Sequence, residues 1–255
     1  TAIGHISSTN LASLTTSVVG AFTSTQVHAL SSNITTSQIA VLSTAGVAGL
    51  TTAALNALST SDIATISTTD VAALSATQVG GLTTTQAQSL SSAQVGTLST
   101  AQLAAVAGSL SGAQLGLVGT NQVAGLTSTA IGHISSTNLA SLTTSVVGAF
   151  TSSQVHALSS NITTSQIAVL STAGVAGLTT ATLNALSTSD IATISTTDVA
   201  ALTATQLTGV TSPQVQALTT TQVATLTYAQ IQALDAGNGG LSEFSTTQVG
   251  FLAVI

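Results

Sequence analysis

The chain has 255 residues, no Lys, Arg, Cys, Met or Trp, and only six acidic side chains, for a net charge of −6. Without cations it has no electrostatic footprint for nucleic acid or anionic lipid, and without Cys no disulfide. A mean hydropathy of +0.61 with 2% charged residues is the opposite of a disorder signature, so Ser, Thr, Gln and Asn must wet the surface.

The chain opens TAIGHISSTN, already inside a repeat and with no signal peptide, which reads as a fragment of a longer protein. From Ile6 an octad recurs: an apolar anchor, Ser/Thr, Ser/Thr, any residue, Gln/Asp/Asn, Val/Ile/Leu, a small residue, any residue. Between Ile6 and Ile134 there are 15 octads and two four-residue half-units, and 15×8 + 2×4 = 128. That is the offset of a long duplication: residues 1–78 recur as 129–206 with three changes, Thr25 to Ser153, Ala54 to Thr182 and Ser75 to Thr203. The second position is Ser or Thr in 14 of the 15 octads, Gly119 being the exception, and the fifth is Gln, Asp or Asn in 11.

An unbroken helix does not suit this period, because eight residues advance about 800° and the anchors drift about 80° per octad. One short helix per octad does. With Ser91 as N-cap, Gln94 falls at the third helical position and completes a capping box, while Leu90 and Val95 occupy the two positions of a hydrophobic staple. Helices this short are marginal alone, so stacked neighbours must bury the anchors. Small seventh residues (Ala72, Gly80, Gly96, Ala104) would let neighbouring backbones approach. The alternative is a β-solenoid with about 24 residues per rung, since Thr and Val favour strands. Ala-rich seventh and eighth positions and sparse turn clusters count against it.

A half-unit runs from Leu30 to Ile34, nine octads reach Val106, a second half-unit ends at Leu110, and six octads reach Leu158. A third half-unit ends at Ile162, and nine more octads run to Leu234. Multiples of three suggest three octads per turn. Pro213, the only proline, falls in a first helical turn, where a missing N–H costs little. The array 1–234 then loses register at DAGNGGLSEF, and residues 235–255 add one further octad as a cap, boundary or linker.

Octads such as LSTAQLAA and LTTTQVAT resemble repeat regions of very large secreted or surface proteins of Gram-negative bacteria. The resemblance implies an extracellular, adhesive or filamentous role and brings no catalytic residues. The L-T-x-x-Q-V opening also resembles the helix start of TAL-effector repeats, but those are over four times longer and carry basic residues absent here.

The candidate site residues are few. His5, His28, His133 and His156 are two copies of one pair spaced by 23, with no Cys or carboxylate partner nearby, and read as polar residues on a repeat face rather than metal ligands. Asp62, Asp70, Asp190 and Asp198 fill the fifth octad position and read as helix N-terminal acids. DAGNGG, with Asp235, is the one segment where bound calcium is conceivable. No Ser stands apart from the repeat background as a nucleophile would. The expectation is therefore no catalytic, cofactor or metal site and no enzyme activity. A structural segment of an extracellular fibre, adhesin stalk or matrix filament is expected, self-associating, with no nucleic-acid partner and no membrane span. The alternative is a module that binds a regular surface, ice or polysaccharide.

Overall fold

Ser91 is extended (φ −68°, ψ 161°), and its hydroxyl accepts the N–H of Gln94 at 3.3 Å. The helix Ser92–Thr97 follows and stops at Leu98, which is extended again and donates its N–H to the Val95 carbonyl. Two extended residues, anchor and cap, thus separate each helix from the next and redirect the chain. The computed structural model describes residues 2–30, 33–158, 162–238 and 244–252. Across them the same unit recurs, with one α-helix for each octad, mostly four to seven residues long. No strand occurs among the described residues, so the β-solenoid alternative is not supported.

The helices pack in series, each chiefly on the third before it. Thr84–Ser89 lies against Thr60–Thr65, Ser92–Thr97 against Thr68–Ala73, and Thr100–Val106 against Ala76–Gly80. The chain divides into two compact units, Thr1–Leu126 and Thr127–Ile255. The second repeats the pattern, with Ser212–Ala217 on Thr188–Thr193 and Thr220–Val223 on Thr196–Ala201. Within each unit this is the arrangement of a helical repeat solenoid, three structural units to the turn. The anchors and sixth-position residues fill its interior: Leu90, Val95, Leu98 and Leu103 are all buried.

Half-units also occupy a full side of the turn. Ala107–Ser109 forms a single 3-10 turn between the octads of Leu98 and Leu110. Asn33, in the half-unit after Leu30, donates to the carbonyl of Ile6, the anchor three sides earlier, at 3.1 Å. Three per turn therefore holds, but the half-units must be counted with the octads.

Close backbone approach occurs at the seventh position where Gly80 faces Ala105, to which an added Cβ would come within 2.9 Å. At Gly96 an added Cβ would meet nothing within 4 Å, so the expectation fails there. Equally tight approaches lie at the eighth position, which the octad pattern leaves open. Gly49 and Gly177 sit against the carbonyls of Ser24 and Ser152, and Gly125 sits 2.6 Å (from an ideal Cβ) from the Thr100 methyl. No helix of the described residues is long and apolar enough to cross a membrane.

Candidate functional site

The residues that tie one turn to the next are the fifth-position glutamines. Gln102 shows the chemistry in full. Its Oε1 accepts the N–H of Ser99 at 2.8 Å, closing the capping box on its own helix. Its Nε2 donates to the carbonyls of Val71 at 2.8 Å and Leu74 at 2.7 Å, in the preceding turn. Leu74 is the anchor three octads back, and 102 − 74 = 28 residues is three octads plus four.

The pattern repeats. Gln86 reaches Leu55 and Leu58, Gln94 reaches Ile63 and Ile66, and Gln114 reaches Ala87 and Leu90. In the second unit Gln206, Gln214, Gln222 and Gln230 do the same. A primary amide suits this place because it offers an acceptor and two donors from one planar group. These side chains are buried, Gln94 being 1% exposed, and a buried amide is tolerated only when its bonds are made. Among the described residues no buried side-chain polar atom lacks a partner.

Departures from Ser-x-x-Gln follow the same physics. Gly119 has no hydroxyl, so only its N–H joins the box, donating to Gln122 Oε1 at 3.0 Å. Pro213 is in the first turn of Ser212–Ala217, as expected, and there the Thr211 hydroxyl donates to Gln214 Oε1 at 3.0 Å. Asp62 and Asp70 also take up the capping role: the hydroxyls of Ser59 and Ser67 donate to them at 2.6 Å. The same holds for Asp190 with Ser187, and for Asp198 with Ser195 at 2.6 Å. A carboxylate has no hydrogen to donate and is one methylene shorter, so none of the four grips the carbonyls of the preceding turn as Gln does; Asp198 instead accepts from the Thr172 hydroxyl of that turn at 3.0 Å.

The apparent loss of register at 235 is a longer unit. Tyr228–Asn238 runs through the buried anchor Leu234, and Asp235 sits half-buried on it. Gly239 and Gly240, the remainder of the DAGNGG segment considered for calcium, lie outside the described residues. Gln248 still donates to Leu218 at 2.6 Å and Val215 at 3.0 Å, an offset of 30 to the anchor in place of 28. The shift of two matches the anchor spacing, ten residues from Leu234 to Phe244 in place of eight.

All four histidines are exposed. His28 lines a shallow hollow with Ser24, Thr25, Ala48 and Gly49, and His156 a corresponding one with Ser152, Ser153 and Gly177. Among the described residues no three His, Asp or Glu side chains come together as a metal-binding group. Sequence reasoning assigned the glutamines to capping alone and missed their second bond. The signal was the preference for Gln over Asp at the fifth position: either side chain accepts the N–H of the cap, whereas a link to the carbonyls of the preceding turn needs a donor.

The comparison with protein families bears on this ladder. Residues 56–92 and 191–228 match the ALTTAQ repeat. These two stretches are thus similar to a known repeat family. Each ALTTAQ stretch lies within one compact unit and includes ladder glutamines, Gln78 and Gln86 in one and Gln206, Gln214 and Gln222 in the other. The segment Ala217–Gln222 reads ALTTTQ, an anchor with its cap and ladder amide. No curated protein and no solved structure gives a significant match.

Proposed function

We propose that this chain is a repeat segment of an extracellular structural protein: a self-assembling surface fibre, an adhesin stalk or a matrix filament. The glutamine ladder carries this reading. It commits the amides to holding turns together and leaves a surface of Ser and Thr with 2% charged residues, so copies meet little mutual repulsion. Each laddered turn donates in one direction and accepts in the other. Contact between copies that uses these groups is head to tail, and such a contact extends into a filament if it does not close. The octads resemble those of very large secreted or surface proteins of Gram-negative bacteria. A chain without Lys or Arg also offers no trypsin site, which suits a protein outside the cell.

A module that matches ice or polysaccharide would need its hydroxyls free in ranks. The hydroxyls of Thr83, Thr203 and Thr211 instead donate to Gln86, Gln206 and Gln214. The test is antibody labelling of intact cells together with electron microscopy of the purified chain. Surface label and fibres are expected; a cytosolic protein that remains a compact monomer at high concentration contradicts the proposal.

A further inference from the structure

We infer that the solenoid of the first unit has a built-in seam, where the turn starting at Leu42 rests on the turn before it, and that it opens there ahead of the laddered region. The seam comes from four consecutive octads, residues 42–73, whose fifth positions are Gly46, Ala54, Asp62 and Asp70. Three units make a turn, so four in a row leave one whole turn interface without the ladder. Among the described residues of 42–73, no side chain donates a hydrogen bond to the preceding turn; Asp62 and Asp70 bond only within their own capping boxes. The ladder is intact on both sides. Gln38 donates to Leu11 before the seam, and Gln78 donates to Leu50 at 2.6 Å after it.

Two local features explain why no other bond takes over. At Gly46 the packing is tight, since an added Cβ would stand 3.1 Å from the Leu42 side chain and 3.3 Å from the Phe22 carbonyl, so a larger residue needs its neighbours to shift. At the aspartates the opposite occurs. The short carboxylates leave a cavity of about 200 Å³ lined by Ile39, Val47, Asp62, Ile66 and Asp70. Missing contacts around a void lower cohesion, and regions with fewer buried interactions open at lower free energy than the rest. The second unit also lacks Gln at the fifth positions of 170–201, which are Gly174, Thr182, Asp190 and Asp198, but there the Thr172 hydroxyl donates to Asp198 across the turns at 3.0 Å, so the inference concerns the first unit alone. Under heat, denaturant or tension, residues 2–41 then undock as one block while the laddered turns from Leu74 onward hold. This inference is independent of where the chain resides.

The test is native-state hydrogen exchange of the full chain, read by mass spectrometry after peptic cleavage. Amides of 42–73 are expected to exchange at least tenfold faster than those of Ser92–Thr97 and Thr100–Val106. Peptides of 66–73 and 194–201 have the same sequence and report jointly in the parent. Asp70→Gln separates them by mass. It also places a donor over the carbonyls of Leu42 and Ile39, and should slow exchange at the seam roughly tenfold by supplying the missing bonds. Gln102→Asp should create a new seam and speed exchange around it by a similar factor. Equal exchange of 42–73 and 92–106 in the parent, or no slowing in Asp70→Gln, overturns the inference.

Discussion

Replacing Gln94 with Ala isolates what one rung of the ladder contributes. The side chain is 1% exposed and holds three backbone groups: the Ser91 N–H at 2.7 Å, the Ile63 carbonyl at 2.9 Å and the Ile66 carbonyl at 2.7 Å. Truncation removes the partner of the Ser91 N–H and of the Ile66 carbonyl, while the Ile63 carbonyl keeps the Ile66 N–H at 3.3 Å. Each buried unpaired group costs about 1–3 kcal/mol, and water admitted to the vacated space offsets part of that, so a loss of about 3 kcal/mol is expected. Gln26→Ala is the internal control. Gln26 is half-buried, and its Oε1 accepts from the N–H and hydroxyl of Thr23 at 2.9 and 3.2 Å, both solvent-exposed interactions. Its loss should cost under about 1 kcal/mol. The assay is urea unfolding followed by far-UV circular dichroism and by exchange at Ser92–Thr97, because long repeat arrays depart from two-state behaviour and need a local probe. Equal destabilisation by the two substitutions would refute the claim that turn-to-turn bonds, rather than caps, hold the stack.

Three further outcomes follow from the same geometry. Gln94→Glu keeps the shape but presents a carboxylate to two carbonyls. Its folded pKa should rise above the ordinary glutamate value of about 4.3, so stability is retained below that pH and lost as pH rises through the raised value; urea midpoints at pH 3.5 and pH 7 check it. Gly49→Ala, which drives a Cβ into the Ser24 carbonyl, should lower the thermal midpoint, whereas Gly96→Ala meets nothing within 4 Å and should gain about 1 kcal/mol from helix propensity. With no Lys or Arg to pair with the acids, the thermal midpoint should move little between 0.05 and 1 M NaCl (light scattering of any fibres likewise), since salt has few ion pairs to screen.

Local structure was legible in the octad because its cues are local. Ser91 and Gln94 carry a capping box, Leu90 and Val95 a staple, and Pro213 a helix start, each readable within six residues. The three-unit turn was readable as counts of octads between half-units, but the rank of a half-unit was not. The bond from Asn33 to Ile6, and the reach of Gln114 to Leu90 over 24 residues in place of 28, show that four residues turn the chain as eight do. The ladder was hidden for a similar reason. A glutamine that caps its own helix looks the same in sequence as one that also grips a carbonyl 28 residues away. Residues 235–243 looked like lost register because the anchor spacing changes by two, and Gln248 restores it through contacts no local pattern announces. The candidate histidines and aspartates showed their spacing in sequence, while their exposure and cap bonds required the fold.

The ladder itself can be measured through Gln94 and Gln222, whose amide nitrogens both lie against isoleucine carbonyls, of Ile63 and Ile66 and of Ile191 and Ile194. A chain labelled with nitrogen-15 at glutamine side chains and carbon-13 at isoleucine carbonyls permits rotational-echo distance measurement in the solid state. Strong dephasing at these two nitrogens, with fitted nitrogen-to-carbonyl-carbon distances of about 3.5–4 Å, is the result the ladder requires, because its N···O separations are 2.7–2.9 Å and the carbon lies one C=O bond beyond the oxygen. Absence of dephasing at both in folded, helical protein would mean that the turns are not joined by glutamine, and the architecture argued above would fail.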